Sequence, residues 1–324
     1  MTLYIGTRAV SVNSMTTTEV QKTKLGFTID NFIGDLSDDG VLTSPKSIGN
    51  TLDFSGVVEW KTGAEYLFAG IGVSNILFPD LKIISGNMNC TFMQTTIKTI
   101  TFPSLKTING PCDRTFSSCN NLTSAFFPEL EEIMVHKGGT MFSSCYSLTT
   151  CSMPKLKRIY GVGTSQGGFQ NCSKLVEVDM SSLENIEGFY ACQGMFNGCS
   201  KIENIDLHSL KTIGTSNTEG SVGGECYTMF SGCSALSTVD LSGLEVILGK
   251  NTCQGMFQNC KSLTSMSFPS LTIIDGISPM ISMFQGCTAL TEIHFRADMQ
   301  TTVEALSEYS NKFGATNATI YFDL

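Results

Sequence analysis

Apolar residues recur along this chain at fixed separations. The phrase Phe-x-x-Cys-x-x-Leu-x-x-apolar-x-apolar, then Pro or Ser, x, Leu, x, x, Ile, returns again and again. It reads Phe116-Ser-Ser-Cys119-Asn-Asn-Leu122, then Phe142-Ser-Ser-Cys145-Tyr-Ser-Leu148, then Phe169-Gln-Asn-Cys172-Ser-Lys-Leu175. Copies follow at Phe196, Phe230, Phe257 and Phe284, with degenerate ones at Phe68 and Phe92, so the spacings are 24, 24, 26, 27, 27, 34, 27 and 27 residues. A period in the twenties is the mark of a solenoid, whose single turns cannot bury their apolar residues alone but can when stacked. In Leu236-Ser-Thr-Val239-Asp-Leu241-Ser-Gly-Leu244-Glu-Val-Ile247, Val239 and Leu241 alternate with Asp240. That alternation predicts a short strand with Val239 and Leu241 inward and Asp240 outward. Leu244 and Ile247 start the return path, and a Met-Phe pair such as Met256-Phe257 closes the coil.

The periodicity divides the chain into three parts. Asp53-Phe54-Ser-Gly-Val57-Val-Glu-Trp60 aligns with the Asp240–Ile247 segment, so a half coil begins near Leu52, and residues 51–295 form the repeat region. Residues 1–50 hold strand-like pieces at Leu3–Val12 and around Phe27–Ile33 and an acidic turn at Asp35–Gly40. They are either an N-terminal cap or an attachment segment. After the strand at Leu290–Phe295 the pattern breaks. In residues 296–324 Asp298 can cap a helix, and Val303, Leu306, Tyr309 and Phe313 fall on one helical face. Gly314 stops that helix and Thr319–Phe322 reads as a closing strand. A solenoid needs its open ends covered, which predicts a C-terminal helix–strand cap.

The repeat resembles the BspA-like leucine-rich repeat family of bacteria and some protists. The resemblance covers about residues 52–295, and seven copies hold both Phe and Cys in register. It implies a β-rich solenoid, a right-handed stack of leucine-rich-repeat coils, and a role in surface adhesion and binding of host or partner proteins, without enzymatic activity. Many members carry signal peptides and cell-wall or secretion domains. Neither is visible here: Met1-Thr-Leu-Tyr-Ile-Gly-Thr-Arg-Ala-Val10 lacks the basic and apolar regions of a signal peptide. The ends point to another setting. Phe295–Leu306, Phe313–Leu324 and the opening Leu3–Val10 resemble segments of phage or prophage structural proteins from gut bacteria. The expectation is therefore a virion tail or surface component, or an extracellular protein exported without a classical signal. The alternative is a bacterial interaction scaffold or adhesin, cytoplasmic or surface-exposed.

Composition narrows the partners. Only 15% of residues are charged and the net charge is −9, with basic residues scattered. Without a basic stripe there is no electrostatic footprint for nucleic acid, and anionic membranes would repel the chain. No run of 18 apolar residues marks a transmembrane helix. The expected partner is a protein or glycan on a cell surface. A homo-oligomer is compatible with a tail fibre, although no coiled-coil heptad supports it.

Thirteen cysteines invite metal or disulfide chemistry. Seven (Cys119, Cys145, Cys172, Cys199, Cys233, Cys260 and Cys287) share one repeat position, and Cys112, Cys192, Cys226 and Cys253 each sit four residues before a Phe. The favoured reading is a buried, reduced side chain whose weak S–H donor serves a turn. Zinc sites pair cysteines at closer spacing. A partial disulfide ladder between coils about 4.8 Å apart stays sterically open. His136, His208 and His294 fall at different phases of the repeat and no catalytic constellation assembles by spacing, so no enzyme and no cofactor is expected.

The candidate site is the outward strand position: Thr101, Phe126, Ser152, Asp179, Asp206, Asp240, Ser267 and His294. With coils in register, Asp179, Asp206 and Asp240 would form a ladder of like charges about 5 Å apart, near Glu177, Glu203 and Glu292. This is either a solvated face that resists aggregation or a concave acidic patch for a cationic ligand, a calcium ion or a basic partner. The loop Gly214–Tyr227, which lengthens its coil to 34 residues, is a second candidate, and Tyr160–Gly168 a third.

Overall fold

A computed structural model describes residues 51–52, 54, 58–60, 65–66, 68–134, 139–161, 167–215 and 224–324 in full; Asp53, Val135, His136, Val162 and five short strands before residue 50 are described as backbone alone. The chain is a parallel β-solenoid of about nine turns, and each coil contributes three rungs.

The first rung is the predicted strand. Thr99–Thr101, Ser124–Phe126, Thr150–Ser152 and Glu177–Asp179 pair in parallel, as do Asn204–Asp206 with Thr238–Asp240. Their central residues (Ile100, Ala125, Cys151, Ile205) are buried while the flanking ones face out, as the period of two requires. The second rung is an unbroken nine-stranded parallel sheet from Glu59–Trp60 to Ile273–Asp275, with Trp60, Ile84, Ile108, Ile133, Ile159, Ile186, Ile213, Ile247 and Ile274 in one column. Trp60 is in register with Ile84, and Leu52 and Phe54 are buried.

The third rung is a ladder of turns around each Phe. Alternate N–H groups point along the stack and within the coil. Phe142 N–H donates to Gly168 and Phe169 N–H to Met195 of the next coil, while Cys145 N–H closes onto the Phe142 carbonyl of its own. The residue two beyond each Phe takes a positive φ: Ser118, Ser144, Asn171, Gly198, Gly232, Asn259 and Gly286 lie between 57° and 77°. Gly and Asn tolerate that region best, which accounts for five of these seven positions, Asn171, Gly198, Gly232, Asn259 and Gly286. Inside, the Phe rings stack from Phe116 to Phe284, with centroids 5.2–5.8 Å apart and planes within 9°.

The C-terminal segment differs in detail from its expectation. Asp298 does not cap a helix. It lies inside a short 3-10 turn, Ala297–Met299, and its carboxylate takes the Arg296 guanidinium at 2.6 and 2.9 Å instead. The α-helix is only Gln300–Glu304, and Tyr309–Gly314 is a kinked 3-10 segment with Lys312 and Phe313 at positive φ. Val303 and Phe313 are nonetheless fully buried, and Leu306 and Tyr309 pack on the core. The segment breaks its helix to fit a coil-shaped end. Strand Thr319–Phe322 then pairs in parallel with Glu292–Phe295 and closes the end, as expected. Before residue 50, Thr2–Ile5 pairs antiparallel with Arg8–Ser11, Gly34–Leu36 with Leu42–Pro45, and Thr28–Ile29 with Thr51–Asp53. Asp35, assigned to a turn from sequence, lies in one of those strands.

Candidate functional site

The first-rung strand face carries the residues singled out from sequence, and it is interrupted. Strands Glu177–Asp179 and Asn204–Asp206 are not hydrogen-bonded to each other, nor are Thr238–Asp240 and Ser265–Phe268. The expected ladder of three aspartates therefore splits. Asp206 and Asp240 are direct register partners, whereas Asp179 is partnered with Ser152.

Each carboxylate also has a local task. Asp179 Oδ1 accepts from the Ser181 N–H (3.2 Å) and hydroxyl (2.8 Å), Asp206 Oδ1 from the His208 N–H (3.1 Å), and Asp240 Oδ1 from the Ser242 N–H (2.8 Å). These are Asx turns, in which a side chain closes the bend at the strand end where Pro stands in other coils. His208 Nδ1 lies 2.7 Å from the same Asp206 oxygen. Partial burial pushes the Asp206 carboxyl up, but the His208 N–H and ring outweigh it and the net is a lowered value; the His208 ring is raised in return, first by its hydrogen bond to Asp206.

The predicted residues regroup in space. Phe126, Glu177, Asp179 and Glu203 line one shallow groove of about 500 Å³ with Val176, Thr150 and Ser152, bridging the first interruption. Phe126 is 36% and Val176 46% exposed, so exposed apolar side chains lie beside the acidic ones. Asp206 and Asp240 line a neighbouring depression of about 360 Å³ with Ser242, Ser267 and Pro269. Among the described residues no three His, Cys, Asp or Glu side chains converge as metal ligands would. His294 faces outward between buried Ile293 and Phe295 and is held in place: it stacks on Tyr321 at 4.8 Å, with Nδ1 2.9 Å from Asp323 and Nε2 3.5 Å from Glu292. The Asp323 hydrogen bond, first among the causes, raises its pKa.

The cysteines lie elsewhere, in the core. All thirteen are free and buried. Each of the seven in the repeat column donates its S–H to the carbonyl of the preceding coil's Phe, from Cys119 to Phe92 through Cys287 to Phe257, at 3.0–3.3 Å. Burial pushes the Cys112 thiol up to about 12 and those of Cys119 and Cys287 up to about 11. Such thiols are poor nucleophiles, because the thiolate is the reactive form.

Of the two loop candidates, residues 216–223 and 163–166 lie outside the described residues, as does the His136 side chain. At the C-terminal foot of the longer loop is a residue that the sequence reading passed over. Glu225 is 2% exposed and, among the described residues, its Oε2 has no hydrogen-bond partner. Burial raises its pKa, against the backbone N–H groups of Glu225 and Gly224 and the Thr252 hydroxyl. A carboxyl held above its ordinary value binds its proton more tightly folded than unfolded. That stability is present below the ordinary value and is lost as pH rises through the raised one. Glu225→Gln should therefore stabilise the fold at neutral pH by on the order of 1 kcal/mol. It should also flatten the fall in stability above the ordinary carboxyl range, checked by urea unfolding from pH 4 to 8.

Parallel strands, an Ile column and a Phe–Cys turn ladder define a leucine-rich-repeat solenoid. The family model described as the BspA type leucine rich repeat region matches in six copies, over residues 64–174, 142–222 and 225–313, and the chain belongs to that family. No curated protein matches it. Among solved structures it is similar to a leucine-rich repeat protein from Bacteroides ovatus (18% identity, 91% of this chain and 92% of that one, TM-score 0.36). It is also similar to the Treponema pallidum leucine-rich repeat protein (18%, 86% and 94%, TM-score 0.39). A third is the pneumococcal vaccine antigen PcpA (16%, 90% and 70%, TM-score 0.39).

Proposed function

We propose that the protein is a non-enzymatic binding scaffold that engages a cell-surface protein or glycan through its first-rung strand face. The observation that carries this reading is the groove bridging the first interruption, where exposed Phe126 and Val176 lie among Glu177, Asp179 and Glu203. Repeat solenoids bind through such extended faces, because the repeat leaves those positions free to vary. Exposed apolar side chains beside carboxylates suit a partner that presents an aliphatic or aromatic group beside a Lys or Arg.

Two variants test the groove. Phe126→Ala with Glu177→Gln and Glu203→Gln removes the exposed aromatic ring and two carboxylates while leaving the turns alone. Asp179→Asn with Asp206→Asn and Asp240→Asn removes charge but keeps the oxygen that closes each Asx turn. The first variant should lose at least tenfold in the binding of labelled protein to intact bacterial cells, with an unchanged melting temperature. The second should weaken binding less and flatten its dependence on salt. Equal cell binding by wild type and the first variant would sink the reading.

The setting we favour is a phage virion, on the strength of the end segments that resemble phage structural proteins. Mass spectrometry of purified particles tests it separately from the groove. Absence from particles, with presence on the bacterial envelope, would assign the bacterial adhesin instead.

A further inference from the structure

The end strand Thr319–Phe322 is fastened less firmly than the coils it closes. It pairs on one side, with Glu292–Phe295, and among the described residues no strand lies along its other edge. Its Ile320 and Phe322 are half-buried, whereas their register partners Ile293 and Phe295 are fully buried. Three backbone hydrogen bonds flank the pairing: Thr319 N–H to the Thr291 carbonyl at 2.8 Å, Leu324 N–H to that of Phe295 at 3.3 Å, and Ala297 N–H to that of Leu324 at 3.2 Å. With little apolar area to hold it, the strand depends more on its polar contacts.

His294 is the side chain that spans the two strands. Its ring stacks on its register partner Tyr321 with planes 15° apart. Nδ1 faces Asp323, just past the end strand, and Nε2 faces Glu292 of its own strand. A neutral imidazole carries one N–H, so it could donate to only one of these carboxylates and would turn a lone pair toward the other. Only the imidazolium offers a donor to each. The strand on the other side, Ser265–Phe268, brings no charge and places Ser267 opposite His294, while Arg296 is engaged by Asp298.

We propose that His294 is a pH-sensitive latch, which fastens strand Thr319–Phe322 over the end of the solenoid while protonated and releases it as the proton is lost. The Asp323 hydrogen bond, aided by Glu292 and opposed by partial burial, raises the ring above its ordinary value. Lifting the end strand takes Asp323 and Tyr321 away from the ring, whereas Glu292 stays beside it, so Asp323 carries the linkage. A group whose pKa is raised in the docked form gives its full stabilisation below the ordinary value and loses it as pH rises through the raised one. The latch therefore holds at mildly acidic pH and weakens upward from the ordinary histidine value of about 6.5. Release bares the backbone edge of Glu292–Phe295, the last strand that the repeat phrase specifies. The latch rests on this pairing alone and is independent of the groove beside Phe126.

The test is amide hydrogen exchange on the full chain from pH 6 to 8.5, corrected for the intrinsic rate. Protection at Thr319 and Leu324 should fall about threefold or more across that range relative to Phe196, whose steady protection shows the stack intact. His294→Gln, which does not titrate, should abolish the pH dependence. His294→Arg, charged throughout, should keep the end strand protected at pH 8.5. Asp323→Asn should shrink the pH dependence and lower the His294 titration midpoint, read from the ring nitrogen shifts. Wild-type protection that stays constant across the range overturns the proposal, and so does an equal fall in His294→Gln. A His294 ring that carries a single N–H at pH 6 overturns it as well.

Discussion

Phe196→Ala should destabilise the solenoid by about 3–5 kcal/mol, the range for removing a large aromatic from a packed core. The ring is fully buried between Phe169 and Phe230, at 5.3 and 5.4 Å and within 4° of parallel with both. No other part of the coil can collapse into the space, because its backbone is tied to both neighbours. Phe196 N–H donates to Met229, and the Phe196 carbonyl receives the Cys199 N–H and the Cys233 thiol. The more telling outcome is the shape of the transition. Stacked repeats hold together through nearest-neighbour interfaces, so a weak interface near the middle should let the halves unfold separately. Trp60 is the sole tryptophan and sits in the first coil. Its fluorescence therefore reports the N-terminal half, while far-ultraviolet circular dichroism reports the whole. In urea the two curves should separate further in Phe196→Ala than in wild type. Curves that stay as close as in wild type, or a loss under about 1 kcal/mol, would mean that the Phe stack is not what couples the coils.

The extent to which this was legible from sequence follows from what a repeat records. Phe, Cys, Leu and Ile recur because each has the same buried neighbour in every coil, so the pitch and the core columns could be read directly. The S–H role of the cysteines was also readable, since seven identical positions argue for one shared task. What varies between coils was harder. The Asp ladder was drawn on the assumption of even stacking. Two breaks in the strand ladder and the Asx turns at Asp179, Asp206 and Asp240 depend on hydrogen bonds that no spacing reveals. Some missed features did leave a signal. The Asn and Gly between Phe and Cys marked a positive φ, and Asp followed two residues later by Ser or His marked a turn. The C-terminal segment was misread as one helix because buried Val303, Leu306, Tyr309 and Phe313 happen to fit its period, while Lys312 and Phe313 turn left-handed to fit the preceding coil. Glu225 is a departure from the repeat, visible only once the neighbouring coils are in place.

Gly214→Ala should be the other severely damaging change, and its reason is backbone rather than core. A glycine column runs beside the Ile column of the second rung, where coils approach too closely for a side chain. A Cβ on Gly188 would lie 2.2 Å from the Gly161 carbonyl oxygen, and one on Gly276 would lie 2.2 Å from that of Gly249. Gly214 is the tightest of these. Its Cβ would fall 1.8 Å from the Leu248 carbonyl oxygen and 2.8 Å from the carbonyl carbon, and its φ is +100°. An alanine there carries about 1–3 kcal/mol of backbone strain. Displacing a hydrogen-bonded strand end should add about 1–3 kcal/mol more, for a total of about 2–6 kcal/mol. The obstacle is main chain, so no rotamer change relieves it. Gly168→Ala is the matched control: no positive φ, and a Cβ in ordinary contact at 3.5 Å. It should be neutral, or stabilising by up to about 1 kcal/mol through the unfolded chain. Gly214 also opens the 34-residue coil, and its N–H donates to Ile186. Its loss should therefore free the strand end next to Glu225 before the rest of the stack unfolds, seen as faster amide exchange at Ile213 and Leu248 than at Ile108. A Gly214→Ala protein as stable as Gly168→Ala would show that the coils do not approach each other this closely.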